Sequence, residues 1–285
     1  MAFPQAKVIV KNRLQPLSKL KLLMMAAASS RPRWRNVSVA LLRPFTRDGE
    51  IAVHYPCYGR TYVVHVRVAD LESDWLSVHE LAISRIYPIE ERFAPDLVID
   101  GGGNTGLFTL LASAAYPGAK VVICEPVPRN LAQIEKHLRN NRVTAEVQPV
   151  CIGGSQRTIP FYVREANRGS FDPGLPYTSQ INVDVVTLAA LLGGRDAKRI
   201  FIKLDIEGME VEALGAFVPG ETRPVYVVGE VHSLPSNGPE LKRIFEGNGW
   251  TVKFGPGSEL NCDFTAWSPA AVSLLTTGEA AAIAP

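Results

Sequence analysis

Cysteine, methionine and tryptophan are scarce in this chain of 285 residues, at 4 of each, and aromatic side chains make up only 8%. Cys57, Cys124, Cys151 and Cys262 lie far apart with no C-x-x-C pair, which excludes a zinc ribbon and a dense disulfide framework. A reduced, cytoplasmic, globular protein is the expectation that follows. No uninterrupted apolar run reaches the ~18 residues of a membrane-spanning helix. Nor does one sign of charge dominate, because 30 Lys+Arg face 28 Asp+Glu, a formal net charge of +2. Balanced charge argues against global disorder and against nucleic acid as a partner. What is present is apolar material: 46% of side chains are hydrophobic, ample for one large domain or two small ones.

Acids are missing altogether from the first 35 residues, where Lys7, Lys11, Arg13, Lys19, Lys21, Arg31, Arg33 and Arg35 stand, so the remainder is net acidic. The apolar stretch at 22–28 is followed by arginines, not by the small-residue cleavage site of a secretory signal. Residues 1–50 therefore read as a basic N-terminal arm. Alternation of Ile51, Val53 and Tyr55, then of Tyr62, Val64 and Val66 beyond Gly59, predicts a β-hairpin. Residues 74–87 read as a helix with Leu76, Leu81, Ile83 and Ile86 as its buried stripe. Residues 51–94 would form an N-terminal cap, 95–268 the main domain, and 269–285 an Ala-rich, loosely held tail.

From Ala94-Pro95 onward the rhythm is strand, helix, strand. The all-apolar run at 97–99 and the strand patterns at 121–123, 200–204 and 225–231 alternate with helical patterns, as in a parallel sheet covered on both faces. Further strands are expected at 147–152, 159–163 and 181–186. Residues 251–254 and 263–267 have no helix between them and are expected as an antiparallel edge hairpin. The fold class is α/β.

Asp100-Gly101-Gly102-Gly103-Asn104-Thr105-Gly106 joins the first of these strands to a helix. Glycines there allow a sharp turn and a close approach to a ligand, and the helix N-terminus offers N–H groups. Two ligands match the pattern. Gly101, Gly103 and Gly106 satisfy G-x-G-x-x-G with Glu125 roughly 20 residues on, the dinucleotide fingerprint. The same stretch satisfies the D-x-G-x-x-x-G turn of S-adenosylmethionine enzymes. Asp100 favours the second ligand, since a carboxylate suits the ammonium of a methionine moiety better than a pyrophosphate. Glu125, followed by Pro126, would accept ribose hydroxyls in either case.

A second constellation lies in Lys203-Leu204-Asp205-Ile206-Glu207-Gly208-Met209-Glu210. Strand alternation puts Lys203, Asp205 and Glu207 on one face. A lysine in a central parallel strand must be paired or must line a cavity, and these two acids are its natural partners. The next strand ends in Glu230 and His232, again two apart. If the two strands are neighbours, five ionisable groups converge beside the glycine-rich turn, as they do in many active sites.

With Glu125-Pro126, Asn130 and Glu230-Val231-His232, these motifs resemble those of the FkbM-type S-adenosylmethionine-dependent methyltransferases, over about residues 74–269. The K-x-D-x-E-G-x-E element is the specific one. The resemblance implies a class I, Rossmann-like methyltransferase with a mostly parallel seven-stranded sheet, an antiparallel edge hairpin and helices on both faces. It also implies O-methylation of a sugar, glycolipid, polyketide or other secondary metabolite. Thr187-Leu188-Ala189 departs from the family, which usually has aspartate in place of the alanine.

A weakly nucleophilic hydroxyl benefits from a base in reach. Asp205 or His232 is the expected base, with Glu230 orienting His232 and Lys203 holding the acidic cluster. A divalent metal on Asp205, Glu230 and His232 is compatible with these residues but not required by them. The rivals are a nicotinamide-dependent oxidoreductase, resting on the overlapping glycine pattern, and a ligand-binding protein without chemistry. The partner is a small-molecule or glycan acceptor. Residues 164–180 read as a polar, irregular loop near the strand ends, and nothing in the sequence sets the oligomeric state.

Overall fold

In a computed structural model the chain is described over residues 7–10, 38–41, 49–67, 69–84, 86–164, 169–171 and 174–277. The basic residues of the first 35 positions, Lys7 excepted, lie outside that description. Strands β1 (Lys7–Val10), β2 (Ser38–Leu41), β3 (Glu50–Cys57) and β4 (Arg60–Arg67) form a sheet in the order β2-β1-β3-β4. The hairpin expected around Gly59 is the β3–β4 pair. Tyr58 and Gly59 both have positive φ (44° and 76°), matching the two-residue turn that the strand twist favours. Val53, Tyr62, Val64 and Val66 are buried on its inner face.

Helix α1 (Leu71–Val78) runs into a π-helical turn over His79–Ser84. Its buried stripe is Trp75, Val78 and Leu81, whereas Leu76 is 41% exposed. The expected stripe is therefore corrected at Leu76. The i→i+5 turn resets the helical face after residue 78, and Leu76 is left facing an open cleft.

The main sheet begins with β5 (Leu97–Gly101), α2 (Leu107–Ala115), β6 (Lys120–Cys124), α3 (Pro128–Asn141) and β7 (Glu146–Gln148). Residues 147–152, expected as one strand, are two. Pro149 has no N–H to continue the ladder, and β8 (Val150–Ile152) leaves for a separate four-stranded sheet. That sheet takes β9 (Arg157–Val163), β10 (Gly169–Ser170) and β11 (Ser179–Val186), in the order β10-β9-β11-β8. The chain returns through α4 (Leu188–Leu192), β12 (Ile200–Leu204), α5 (Glu210–Phe217), β13 (Val225–Val231), α6 (Leu234–Gly247), β14 (Thr251–Gly257), β15 (Cys262–Trp267) and α7 (Pro269–Thr277). The seven-stranded order is β14-β15-β13-β12-β5-β6-β7, with β15 antiparallel to both neighbours. This is the class I methyltransferase arrangement, with its reversed strand beside one edge.

Every residue of β5 and β12 is buried, as a central strand covered on both faces requires. Phe201, Tyr226 and Trp267 are register partners on three adjacent strands. Their rings stack, with centroids 4.9 and 5.4 Å apart, and Phe108 of α2 meets Phe201 edge-on at 5.6 Å. This face shares one apolar cluster with Val53, Val64 and Trp75 of the N-terminal segment. The start of the expected loose tail is instead held. The Ser268 hydroxyl accepts the Val225 and Ala271 amides and donates to the Arg223 carbonyl, and Ala271 is fully buried.

Phe201→Ala is expected to cost about 3–5 kcal/mol, as for other large-to-small core changes. Urea unfolding would measure it, and a loss below about 1 kcal/mol would contradict the ladder's central place.

Candidate active site

β5 delivers Asp100 and the glycines to the carboxyl edge of the sheet, between β6 and β12. Gly102 has φ +74°, and a Cβ there would run into the Asp205 carbonyl; a Cβ on Gly103 would strike the Ile123 side chain. The Gly102 and Gly103 amides both donate to the Cys124 carbonyl at 3.0 Å. The Gly106 amide donates to the Gly103 carbonyl (2.7 Å), and that of Asn104 to Glu125 Oε2 (2.8 Å). Four of the amides expected to face a ligand are thus engaged inside the protein.

Lys203 is 4% exposed, and its ammonium donates to the carbonyls of Gly101 (3.0 Å) and Gly102 (2.6 Å). It stands 3.6 Å from Asp100 Oδ1 and 3.9 Å from Asp205 Oδ2. Lys203 therefore clamps the glycine turn to β12, which corrects its expected pairing with Glu207. Asp100 is fully buried and accepts the Thr109 hydroxyl at 2.7 Å. Its carboxylate faces α2, behind the turn, and lines neither cavity.

β12 and β13 are parallel neighbours, and beyond their ends the second cluster assembles. His232 Nε2 lies 3.7 Å from Glu230, 3.8 Å from Glu207 and 3.9 Å from Asp205. Its Nδ1 donates to Glu210 Oε1 at 3.0 Å. Glu210 also accepts the Ile206 and Gly208 amides through the same oxygen, which fixes the turn ahead of α5. Burial alone would pull the imidazole down. The Glu210 hydrogen bond, then the charges of Glu210, Asp205 and Glu207, outweigh it and raise His232 to about 10. That shift favours the imidazolium, the form that has no lone pair to accept a proton. Glu210, not Glu230, orients it.

Two cavities open here. The smaller has a volume of about 90 Å³. Glu125, Asn104 and Asn130 line it together with Val127, Ile152, Phe161 and Phe171. Gly102 and Pro126 complete the lining. Glu125 accepts the amides of Asn104 and Val127 and the Asn130 side chain. Burial pushes its carboxyl up to about 7 despite those bonds. The larger cleft has a volume of about 880 Å³ over Glu230, His232, Leu76 and Arg164. Asp205 and Glu207 line both cavities.

The profile described as "Methyltransferase FkbM domain" matches residues 100–250. The chain belongs to the FkbM methyltransferase family. Among curated relatives, Methyltransferase 1 of Beauveria bassiana (strain ARSEF 2860) is 25% identical over 169 residues, 51% of this chain and 68% of that protein. The 31-O-demethyl-FK506 methyltransferase FkbM of Streptomyces tacrolimicus is 26% identical over 190 residues, 55% of this chain and 73% of that one. Among solved structures, the FkbM methyltransferase of Methylobacillus flagellatus KT is similar with a TM-score of 0.46 at 17% identity, covering 70% of this chain and 53% of that one.

In this FkbM-family chain the turn separates into two roles. Gly102, Asn104, Glu125 and Pro126 line the smaller cavity. Asp100, Gly101, Gly103, Thr105 and Gly106 support it from outside the lining. Of the second set, Asp205, Glu207, Glu230 and His232 meet at the mouth, while Lys203 sits beneath. The sequence reading missed three contributions. Glu210 stands at the first position of α5, and the acid three residues after Glu207 is its signal. Arg67, buried in β4, donates to Asp74 (2.6 Å) and Asn130 (3.1 Å), bracing the residue that holds Glu125. The Asn104 amide group donates to Ser77 Oγ of α1 at 3.1 Å. Arg67 and Ser77 come from a segment with no motif to announce them. Among the described residues no helix is long and apolar enough to cross a membrane.

With a folded pKa about 10 above the ordinary 6.5, the stabilisation from charged His232 is complete below pH 6.5. It is lost as pH rises through about 10. The His232 ring resonances are expected to stay flat from about pH 5.5 to 8 by NMR. A midpoint near the ordinary value would contradict the cluster's geometry.

Proposed function

We propose that this chain is an S-adenosylmethionine-dependent O-methyltransferase acting on a hydroxyl of a sugar, glycolipid, polyketide or other small secondary metabolite. The observation that carries this reading is the meeting of the two cavities at Asp205 and Glu207. One cavity suits a nucleoside, with Glu125 for the ribose hydroxyls and an apolar slot of Val127, Ile152, Phe161 and Phe171 for a base. The engaged amides of Gly102, Gly103, Asn104 and Gly106 speak against a pyrophosphate, which needs free donors at such a turn. That weakens the nicotinamide alternative.

Bound S-adenosylmethionine supplies a methyl group on a positively charged sulfur, an electrophile that needs no further activation. The remaining work falls to the protein: alignment and proton removal. Carboxylates at the junction, Asp205 and Glu207, favour a cation there. Asp205, half-buried at 32% side-chain exposure, accepts the proton of the acceptor hydroxyl. His232 stays charged and keeps Glu207, Glu230 and Asp205 together against their mutual repulsion. Burial and the neighbouring Asp205 raise Glu230 above the usual carboxylate range, and burial and Glu230 lift Asp263 to about 6. Asp205, Glu230 and His232 bring one potential ligand atom each within 4.8 Å. A divalent cation seated there would have to displace the proton on the ring nitrogen; without one, the protonated ring holds the carboxylates together.

Calorimetry with S-adenosylhomocysteine should give saturable binding, and NAD⁺ none; the reverse would sink the reading. Glu125→Gln should weaken S-adenosylhomocysteine by about 10-fold or more, as for loss of a charged hydrogen-bond acceptor. In wild type the affinity should rise as pH increases through about 7, where Glu125 ionises. Asp205→Asn should lower kcat by ~10²–10⁴-fold with S-adenosylhomocysteine binding intact. Counting tritiated methyl product in EDTA is the assay, and an Asn variant with full turnover would remove Asp205 from the mechanism.

A further inference from the structure

We propose that Tyr87, which precedes the matched family region, is a positioning residue that fixes which oxygen of Asp205 meets the acceptor. The inference rests on Asp205 as the proton acceptor proposed above. Tyr87 is 4% exposed and its hydroxyl donates to Asp205 Oδ2 at 3.0 Å. Lys203 Nζ approaches the same oxygen at 3.9 Å. Oδ2 is thereby held from the protein side. Oδ1 lies on the other side, 3.9 Å from His232 Nε2, too far for a hydrogen bond. It is the oxygen left to take a proton.

A carboxylate turns readily about its terminal bond, so without an anchor the two oxygens would exchange places. Tyr87 is itself anchored. Its ring meets Phe108 edge-on at 5.8 Å and lies 5.6 Å from Lys203 Nζ. The next carbonyl, Pro88, accepts the Tyr226 hydroxyl at 2.8 Å, and the Glu90 carbonyl accepts that of Tyr116 at 2.9 Å. The segment is therefore pinned beside the tyrosine at two points, to β13 of the sheet and to the end of α2. Burial, then the charges of Asp205 and Glu230, raises the Tyr87 phenol well above its ordinary value. It remains a donor at every workable pH.

The charged groups facing Asp205 are Lys203 from β12, His232 and Glu230 from the end of β13, Glu207 from the following turn and Asp263 from β15.

Tyr87→Phe keeps the ring and removes only the hydroxyl. It should lower kcat about 10-fold and leave S-adenosylhomocysteine affinity within about twofold. Independently of turnover, the ¹³C carboxyl resonance of Asp205, assigned by its loss in Asp205→Asn, should shift in Tyr87→Phe at neutral pH. Wild-type kcat with an unmoved carboxyl resonance would overturn the proposal, even alongside a lower Tm. Should wild type make no methylated product, the methyltransferase reading fails on its own, and the carboxyl resonance still decides the Tyr87–Asp205 contact.

Discussion

A lysine in the middle of a doubly covered parallel strand cannot keep its shell of water, and that constraint organises the site. The carbonyls of Gly101 and Gly102 take the place of water around Lys203. Accepting those bonds brings the tip of β5 hard against the end of β12. The approach is so close that position 102 has no room for a Cβ beside the Asp205 backbone. The Asp205 amide in turn donates to the Gly101 carbonyl. The glycine turn and the Asp205 carboxylate are thus one mechanical unit, their separation set by a buried ammonium.

Charge is handled differently at the mouth. Glu207, Glu210, Glu230 and Asp205 surround a single imidazole. Two of these acids beside one another would drive protonation of one of them. With the imidazolium between them the cluster can stay anionic while still half-open to solvent. A histidine at a strand end beside a crevice invites reading as a proton acceptor, but its partners decide. Glu210, wholly buried and reached through three hydrogen bonds to one oxygen, favours the charged form of His232.

Much of the fold was legible because its central strands are apolar on both faces along most of their length. Residues 97–99, 200–204 and 225–231 announce a covered sheet by composition alone, and the missing helix before residue 263 announces the reversed strand. The two glycine positions that a Cβ would block were legible for the same reason: a run of three glycines has few other uses. Three things were hidden. Pro149 sends β8 into a second sheet, a choice that local propensity does not reveal. Asp100 turns inward to Thr109 because side-chain direction at a strand tip depends on the helix that follows. Arg67, Ser77 and Tyr87 reach the site over long sequence separations, and no spacing rule connects them to it.

The bridge from Arg67 through Asn130 to Glu125 bears on how such chains can be recombined. A shuffled enzyme that joined this N-terminal sheet to the matched block of a distant relative would import a foreign neighbour for a buried guanidinium. Nucleoside affinity would suffer although every glycine were in place. Positions 67 and 130 would have to change hands together, so the sensible crossover point lies upstream of β4, well before the motif-rich block begins.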